Sequence, residues 1–573
     1  MAGIGLVLSV AKDALLTHQY AMDVVSHNIA NVSTDGFSRQ TAVIESKTPG
    51  PYGGFIFGRG AELQDIKRQV DTFVETSLRG RTSDHTAMKE METYLSVLEG
   101  VFDENSGRSI NSQFDAFWGA WHDLSNNPSG SAERTVVFES GALLSQSFQD
   151  IRNDLDQFDQ EINLSLDAGV QEINQMTSQI ATLNQQIISL EITGRANDLR
   201  DQRDTLIRGL AEYIDINVFE DNEGHFTVTT GRGYTLVSKT DNYELSFESG
   251  EVRWEGSSGS VNITDTIAGG KTGGWLGVRD EIIPKYKSEF DELAETVIWE
   301  VNKLHGNGVG LEGMNSATGT YDGADTGASI EASGLDFADK VQNGQFTLWV
   351  YEPDGTVRAS ADVTIGDVTS DTLEDVRTQL DGLGGVTAAF TTDNRLQLTI
   401  GGGATFAFSD DSSGVLAALG INTFFSGNDA QSIAMNEALN ANKDLIAAGR
   451  VDGSGSFYAG DNSNALDLAA LRDTAVEMDR YAYDGGSSSG SDTLQGYYSY
   501  LVGSVGIKSA SVRREMEYNE VVVNQLTQKR DNLSAVSLDE EMTNLIKYQH
   551  AYAAAAKLVS TADEMLQTLL ATR

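Results

Sequence analysis

Apolar side chains recur at alternating steps of four and three from the start of the chain: Ile4, Leu8, Ala11, Leu15, His18, Met22, Val25 and Ile29. This spacing predicts a helix with a heptad seam on one face. Val7, Val10, Ala14, Ala21 and Val24 form a second stripe beside it, so the apolar face is wider than one partner helix would cover. The far end repeats the pattern in Leu545, Tyr548, Tyr552, Ala555, Val559, Ala562, Leu566 and Leu569. Small Ala551, Ala554 and Thr561 lie on an adjacent side, where another helix could come close. Chain ends are usually frayed and polar. Amphipathic helices at both extremes are therefore an uncommon layout, and the seams alone fit either ordinary bundle helices within one domain or assembly interfaces.

Between them, Leu144, Phe148, Ile151, Leu155, Phe158, Ile162, Leu166, Val170, Ile173, Met176, Ile180, Leu183, Ile187 and Leu190 keep helical spacing, interrupted only by Gly169. At about 1.5 Å per residue such a helix spans roughly 70 Å, which fits a rod or bundle better than a compact enzyme. Further helical blocks follow Pro284 and run from Val505 to Leu533. Asp35-Gly36 signals a turn, followed by an extended stretch from Phe37 to Ile44. Two regions read as β: Ile214–Val261, which alternates apolar and polar residues, and 336–425, with strands FTLWVYEP, RLQLTI and TFAFSD around a helix TLEDVRTQL. The flanks NSATGTYDGADTGAS and SGNDA read as flexible connections to an inserted domain, and YDGGSSSGSD at 483–492 as a surface loop.

The expected architecture is multidomain and mainly α. Paired, coiled-coil-like N- and C-terminal helices form one domain from residues 1–45 and 536–573. A long helical-bundle shaft takes 46–305 and 432–535, with a small β-rich insert at about 214–272. An outer α+β or β-rich inserted domain occupies 306–431.

The 573 residues include no cysteine, which excludes disulfides, thiolate metal sites and cysteine nucleophiles. The formal net charge is −44, and it is uneven: residues 1–60 balance at four basic and four acidic, whereas 301–430 carry 18 acidic and 5 basic. Such a surface repels nucleic acid and anionic membranes. No run approaches the roughly 18 uncharged apolar residues of a membrane span, and no basic leader precedes Lys12 and Asp13. On composition alone the chain reads as soluble and cytoplasmic. Its seven histidines form no HExxH or other ligand pair, and His18, which interrupts a seam, reads as an interfacial histidine. Gly308-Val-Gly310-Leu-Glu-Gly313 follows a helix, whereas dinucleotide binding needs a preceding strand. Gly486-Ser-Ser488-Ser-Gly490 lacks the strand and helix of a nucleophile elbow. No catalytic, cofactor-binding or metal site is expected.

The stretch Ser26–Gln40, SHNIANVSTDGFSRQ, resembles the N-terminal signature of bacterial flagellar axial proteins through Asn28, Ile29, Ala30, Asn31, Thr34, Gly36 and Phe37, with Phe37 where that signature usually has Tyr. Ser38, Arg39 and Gln40 bring it nearer the hook–filament junction members of the family than the hook or rod members. FDAFWGAWHDLSNNP, ANDLRDQRDTLIRGLAEY, GGWLGVRDEIIPKYKSEFDELA with VNKLHGNG, LGINTFFSG and MTNLIKYQHAYAAAAKLVSTADEMLQTLL resemble further family segments in the right order, while 315–415 is loosely covered.

The resemblance implies terminal helices packed into the inner tube of the flagellar axis, a surrounding shaft and outward variable domains. It implies a non-enzymatic adaptor, without cofactor, at the distal end of the hook, joined to the filament through hook-associated protein 3. The implied partners are the hook protein, hook-associated protein 3, copies of this chain in a ring, an export chaperone and the type III export apparatus. Export to the extracellular flagellum would need no cleaved signal peptide, against the cytoplasmic reading. An isolated helix of this length is marginal in water, so both termini are expected to order only when neighbouring copies cover their apolar faces. The alternatives are another axial protein of hook or rod type, a secreted enzyme with 315–430 as its catalytic part, and a coiled-coil adhesin.

Overall fold

A computed structural model describes residues 2–52, 54–102, 109–192, 194–221 and 224–571. Its helices are α1 (Ala2–Ala30), α2 (Thr72–Val101), α3 (Ile110–Asn126), α4 (Ser131–Leu190), α5 (Asn197–Tyr213), α6 (Gly270–Gly277), α7 (Ile283–Gly306), α8 (Leu373–Leu380), α9 (Val415–Leu419), α10 (Glu437–Ala441), α11 (Ser463–Ala470), α12 (Leu494–Ser534) and α13 (Leu538–Ala571). The chain is mainly α, with several small antiparallel sheets. It gathers into two compact units.

The first unit comprises Met1–Tyr94, Ile162–Val278 and Ala510–Arg573. Here α1 packs along α13. After α1, strand β1 (Gln40–Ser46) starts a short excursion that includes a separate two-stranded hairpin, β2 (Gly50–Tyr52) with β3 (Phe55–Phe57). Strand β4 (Ala61–Arg68) returns antiparallel to β1, Gln40 opposite Arg68 and Ser46 opposite Ala61. The β1–β4 ribbon is fastened to α1 by Thr17 Oγ1 donating to the Ala61 carbonyl at 3.1 Å. The expected β stretch forms a four-stranded sheet over 216–242 and a three-stranded sheet over 245–262, with Val228, Leu236, Val237, Leu245 and Val252 buried. Helix α4 meets their backbone through side-chain amides: Asn174 exchanges two 2.8 Å hydrogen bonds with Leu245, and Asn184 donates to the Phe226 and Lys239 carbonyls.

Helix α4 is longer than its apolar run, beginning at Ser131, and Gly169 does not break it. A methyl group built on Gly169 would lie 2.7 Å from the Trp275 ring, so this glycine makes room for an indole. That close approach offsets the roughly 1 kcal/mol a helical glycine costs.

The second unit comprises Leu95–Glu161 and Arg279–Ser509. Its core is aromatic. Phe114, Phe117, Trp118 and Trp121 of α3 are all buried, and Phe117 and Trp121 pack against Phe424 at centroid distances of 5.7 and 5.3 Å. Strand Gly344–Tyr351 lies between Val357–Ile365 and Thr405–Ser409, while Leu396–Thr399 lies between Ser316–Thr318 and Thr387–Phe390. The TLEDVRTQL segment forms α8, opened by a Thr372/Asp375 capping box.

Two expectations change here. The flanks read as loose are built into the fold: Ser316–Thr318 is a strand, and buried Tyr321 donates its hydroxyl to the Gly427 carbonyl at 2.7 Å. Their Gly/Asp content belongs to turns. The Ser/Gly segment read as a surface loop supplies strand Ser487–Asp492, paired with Val476–Tyr481. A strand whose outward positions are serine shows no apolar alternation, so its pairing rests on backbone bonds that sequence periodicity does not reveal.

His305 at the end of α7 is fully buried. Nδ1 lies 2.7 Å from the Asn422 carbonyl and Nε2 lies 3.0 Å from the Ala447 amide, a pairing that fixes a neutral ring with its proton on Nδ1. Burial pushes its pKa down to about 4. The unfolded chain takes up this proton near pH 6.5 and the folded chain only near 4, so stability falls as pH drops through that window. The expected loss is about 2–3 kcal/mol by pH 4 relative to a His305→Gln variant, read from urea unfolding between pH 7 and pH 4.

Candidate functional site at the terminal helices

The α1–α13 pairing brings some of the expected seam residues together and leaves others outward. Val25 is buried; Ile4, Leu15, Met22 and Ile29 on α1, and Leu545, Tyr548, Val559 and Leu566 on α13, are half-buried. Leu8, Tyr552 and Leu569 are exposed. Four further buried positions are small: Ala11, Ala21, Ala555 and Ala562. Alanines let the backbones approach, and the larger seam residues flank them. Ala551 is half-buried, whereas Ala554 and Thr561 are exposed. His18 faces the partner helix, its ring centroid 6.2 Å from that of Tyr548. A further apolar row stays open: Val7, Leu16 and Tyr20 on α1, and Met542, Ile546, Leu558 and Met565 on α13.

The Ser26–Gln40 signature forms the turn that ends α1 and a polar junction below it. Ala30 is the last helical residue and is exposed. Asn31 then folds back, its side chain donating to the His27 carbonyl at 3.0 Å and accepting from Thr34 Oγ1 at 3.1 Å. These bonds account for Asn and Thr at those positions. Gly36 has φ +76°, and a methyl group there would lie 2.2 Å from Thr205 Oγ1. Both conformation and space therefore require glycine. Phe37 packs edge-on against His27 at 5.4 Å. Gly36→Ala is expected to cost about 2 kcal/mol, measured as a lower midpoint in urea, with part regained in the double variant Gly36→Ala/Thr205→Ala.

Below the turn, three distant segments meet. Buried Asn28 exchanges backbone bonds with Gln40: Nδ2 donates to its carbonyl at 2.8 Å and Oδ1 accepts from its amide at 3.0 Å. The same Nδ2 donates to Glu541 Oε2 at 3.1 Å. Arg39 Nε donates to Glu541 Oε1 at 2.8 Å, its terminal nitrogen donates to Glu540 at 2.6 Å, and its amide donates to the Ser534 carbonyl at 2.8 Å. The Ser38 amide donates to Asp201 at 2.9 Å, and Gln40 Nε2 donates to Asp198 at 2.9 Å. Asn197 donates to Gln40 Oε1 at 3.1 Å, and Arg68 bridges Asp201 and Asp204 at 2.7 and 2.8 Å. Burial works against the Arg39 charge, but Glu540 and Glu541 outweigh it and hold its pKa above the ordinary value; Asp204 and Asp201 do the same for Arg68.

This arrangement ties α1, β1, α5 and the start of α13 together. It contains no nucleophile paired with a base. Among the described residues no group of three His, Cys, Asp or Glu side chains could hold a metal ion, and no helix is long and apolar enough to cross a membrane. Sequence reasoning missed Glu541, Asp201, Asp198, Asn197 and Arg68. The Asp-x-Arg-Asp segment of α5 was visible as a motif without partners, and Asp539-Glu540-Glu541 reads as ordinary acid at a helix start.

Three family models match the chain: the flagellar hook-associated protein FlgK helical domain over residues 95–320, the flagellar basal body rod FlgEFG protein C-terminal region over 527–572, and the flagella basal body rod protein over 8–37. Flagellar hook-associated protein 1 of Bacillus subtilis is 27% identical over 603 residues, covering 98% of this chain and 97% of that protein. Those of Salmonella typhimurium and Escherichia coli are each 24% identical, covering 98% of both chains. The structure of the flagellar hook junction protein FlgK from Burkholderia pseudomallei shares the fold with a TM-score of 0.53 at 16% identity, covering 81% of this chain and 100% of that one.

Proposed function

We propose that this chain, which matches proteins named flagellar hook-associated protein 1 over nearly its full length, is a non-enzymatic adaptor that assembles on the distal end of the hook and joins it to the filament through hook-associated protein 3. The observation that carries this reading is the match over nearly the full length of chains of that name, both ends included. The partners are the hook protein, hook-associated protein 3 and further copies of this chain in a ring. An export chaperone and the type III apparatus deliver the chain to the extracellular flagellum. Residues 1–45 and 536–573 form the axial core, 46–305 and 432–535 the shaft, and 306–431 the outer insert.

Within that reading the terminal seams, from Ile4 to Ile29 and from Leu545 to Leu569, are the assembly interface, and Asn28, Ala30, Asn31, Thr34 and Gly36–Gln40 set the angle at which α1 leaves it. Deletion of the gene is expected to leave hooks of normal length without filaments, with flagellin lost into the medium, as seen by electron microscopy and blotting. Absent hooks would move the chain to a rod or hook role, and normal filaments would overturn the proposal.

The open apolar rows on α1 and α13 support a second expectation, that pairing within one chain leaves these helices marginal until neighbouring copies cover them. Amide exchange of the isolated chain should then be fast across residues 2–30 and 540–571. Strong protection there would refute the ordering step while leaving the adaptor role intact.

A further inference from the structure

The β2–β3 hairpin exposes an apolar strand to solvent. Phe55 is 72% and Ile56 80% exposed, and Phe57 remains well exposed beside them. Strand alternation puts Phe55 and Phe57 on one face, their rings 6.4 Å apart, and Ile56 on the other, so both faces of the ribbon are apolar. A two-stranded ribbon this short is not stable by itself. It is held at its base, where the Lys47 amide donates to the Gly60 carbonyl at 2.9 Å and Lys47 Nζ pairs with Asp13 of α1 at 2.8 Å. Arg59 follows directly after the apolar strand, is exposed, and makes no ion pair among the described residues.

The complement lies on the same unit. The last turns of α13 expose Leu558, Met565 and Leu569, and exposed Asp563 and Glu564 border that row. We infer that the hairpin arm docks on the α13 row of a second copy of this chain, the Phe55 and Phe57 face covering Met565 and Leu569, with Arg59, at the same parity along the strand, facing Asp563 and Glu564. This deepens the self-assembly proposed above and rests on it. Each copy carries both halves, so the contact is head-to-tail and propagates around a ring. The two rings of that face, each partly exposed, offer roughly 200–300 Å² between them, well short of the roughly 800 Å² per partner that a stable pair buries. Isolated copies therefore stay apart, and the arm engages where many contacts close together.

The absence of cysteine makes the test direct. Flagella carrying Phe55→Cys/Met565→Cys chains are isolated from source cells, oxidised and run without reductant. A ladder of multimers of this chain is expected, absent from either single variant. No ladder, a disulfide within one chain, or a link from Phe55→Cys to a different protein would each overturn the contact. Phe55→Ser should leave the thermal midpoint of the isolated chain unchanged, since that side chain already faces solvent, and reduce the chain recovered with hooks at least tenfold; unchanged recovery would also overturn the contact. If the unsubstituted chain is itself missing from isolated hook ends, the adaptor proposal fails; if it is present and the double variant gives no ladder, only the arm contact fails.

Discussion

Arg39→Met is expected to cost the first unit about 3–4 kcal/mol, because Glu541 is only 2% exposed and would keep a buried negative charge with Asn28 as its remaining partner. Removing one member of a buried pair is worse than removing both. Arg39→Met/Glu541→Leu should therefore be less destabilised than the sum of its single variants, a coupling that a double-mutant cycle reads directly. Release of the assembled chain from isolated flagella across a urea series is the suitable measurement, since neighbouring copies there hold α1 and α13 in place and the loss falls on the end of α13 that carries Glu541. An additive cycle would mean that the Arg39 side chain acts through Glu540 instead.

A comparable loss, about 3–5 kcal/mol, is expected for Trp121→Ala in the second unit. The indole is completely buried and touches Phe117, Phe424 and His305, with centroid distances of 6.3, 5.3 and 6.3 Å. Truncation would open a cavity among rings that have few rotamers with which to refill it. Trp121→Phe should retain most of the stability, because among the described residues the indole nitrogen has no hydrogen-bond partner to lose. Thermal unfolding followed by near-UV circular dichroism separates the two variants. Equal midpoints would show that the cavity collapses at little cost.

Elements with strong periodicity were legible before the structure. The α1 seam, the long α4 run and the α8 helix all follow from spacing, since one buried face suffices to define a helix. Identity at the seam was less legible. Spacing alone treats Ala11 and Leu8 alike, yet the alanine is covered and the leucine is exposed, because the closeness of two helices depends on which residue sits between their backbones. The polar junction was invisible for a different reason. Glu541 and Asn28 are 513 positions apart, and hydrogen-bond partners at such separation leave no local pattern. The signature around Asn28 could be picked out by resemblance, but Asp201 and Arg68 gain their roles only when the chain closes. The β2–β3 hairpin was overlooked because GPYGGFIFG is a short Gly-rich stretch with no alternation to mark it.

That same separation has a consequence for how the chain is made. During synthesis, α1 and Arg39 emerge first and Glu541 more than five hundred residues later. Until then α1 lacks its partner helix, and Arg39 lacks the carboxylate that balances it. Loop closure over so long a stretch adds only slowly to the entropy cost, but it sets an order: the first element translated is among the last to be secured. A chain cut short before α13 would keep its shaft sequence and yet never complete the junction, so only finished copies acquire a paired terminus.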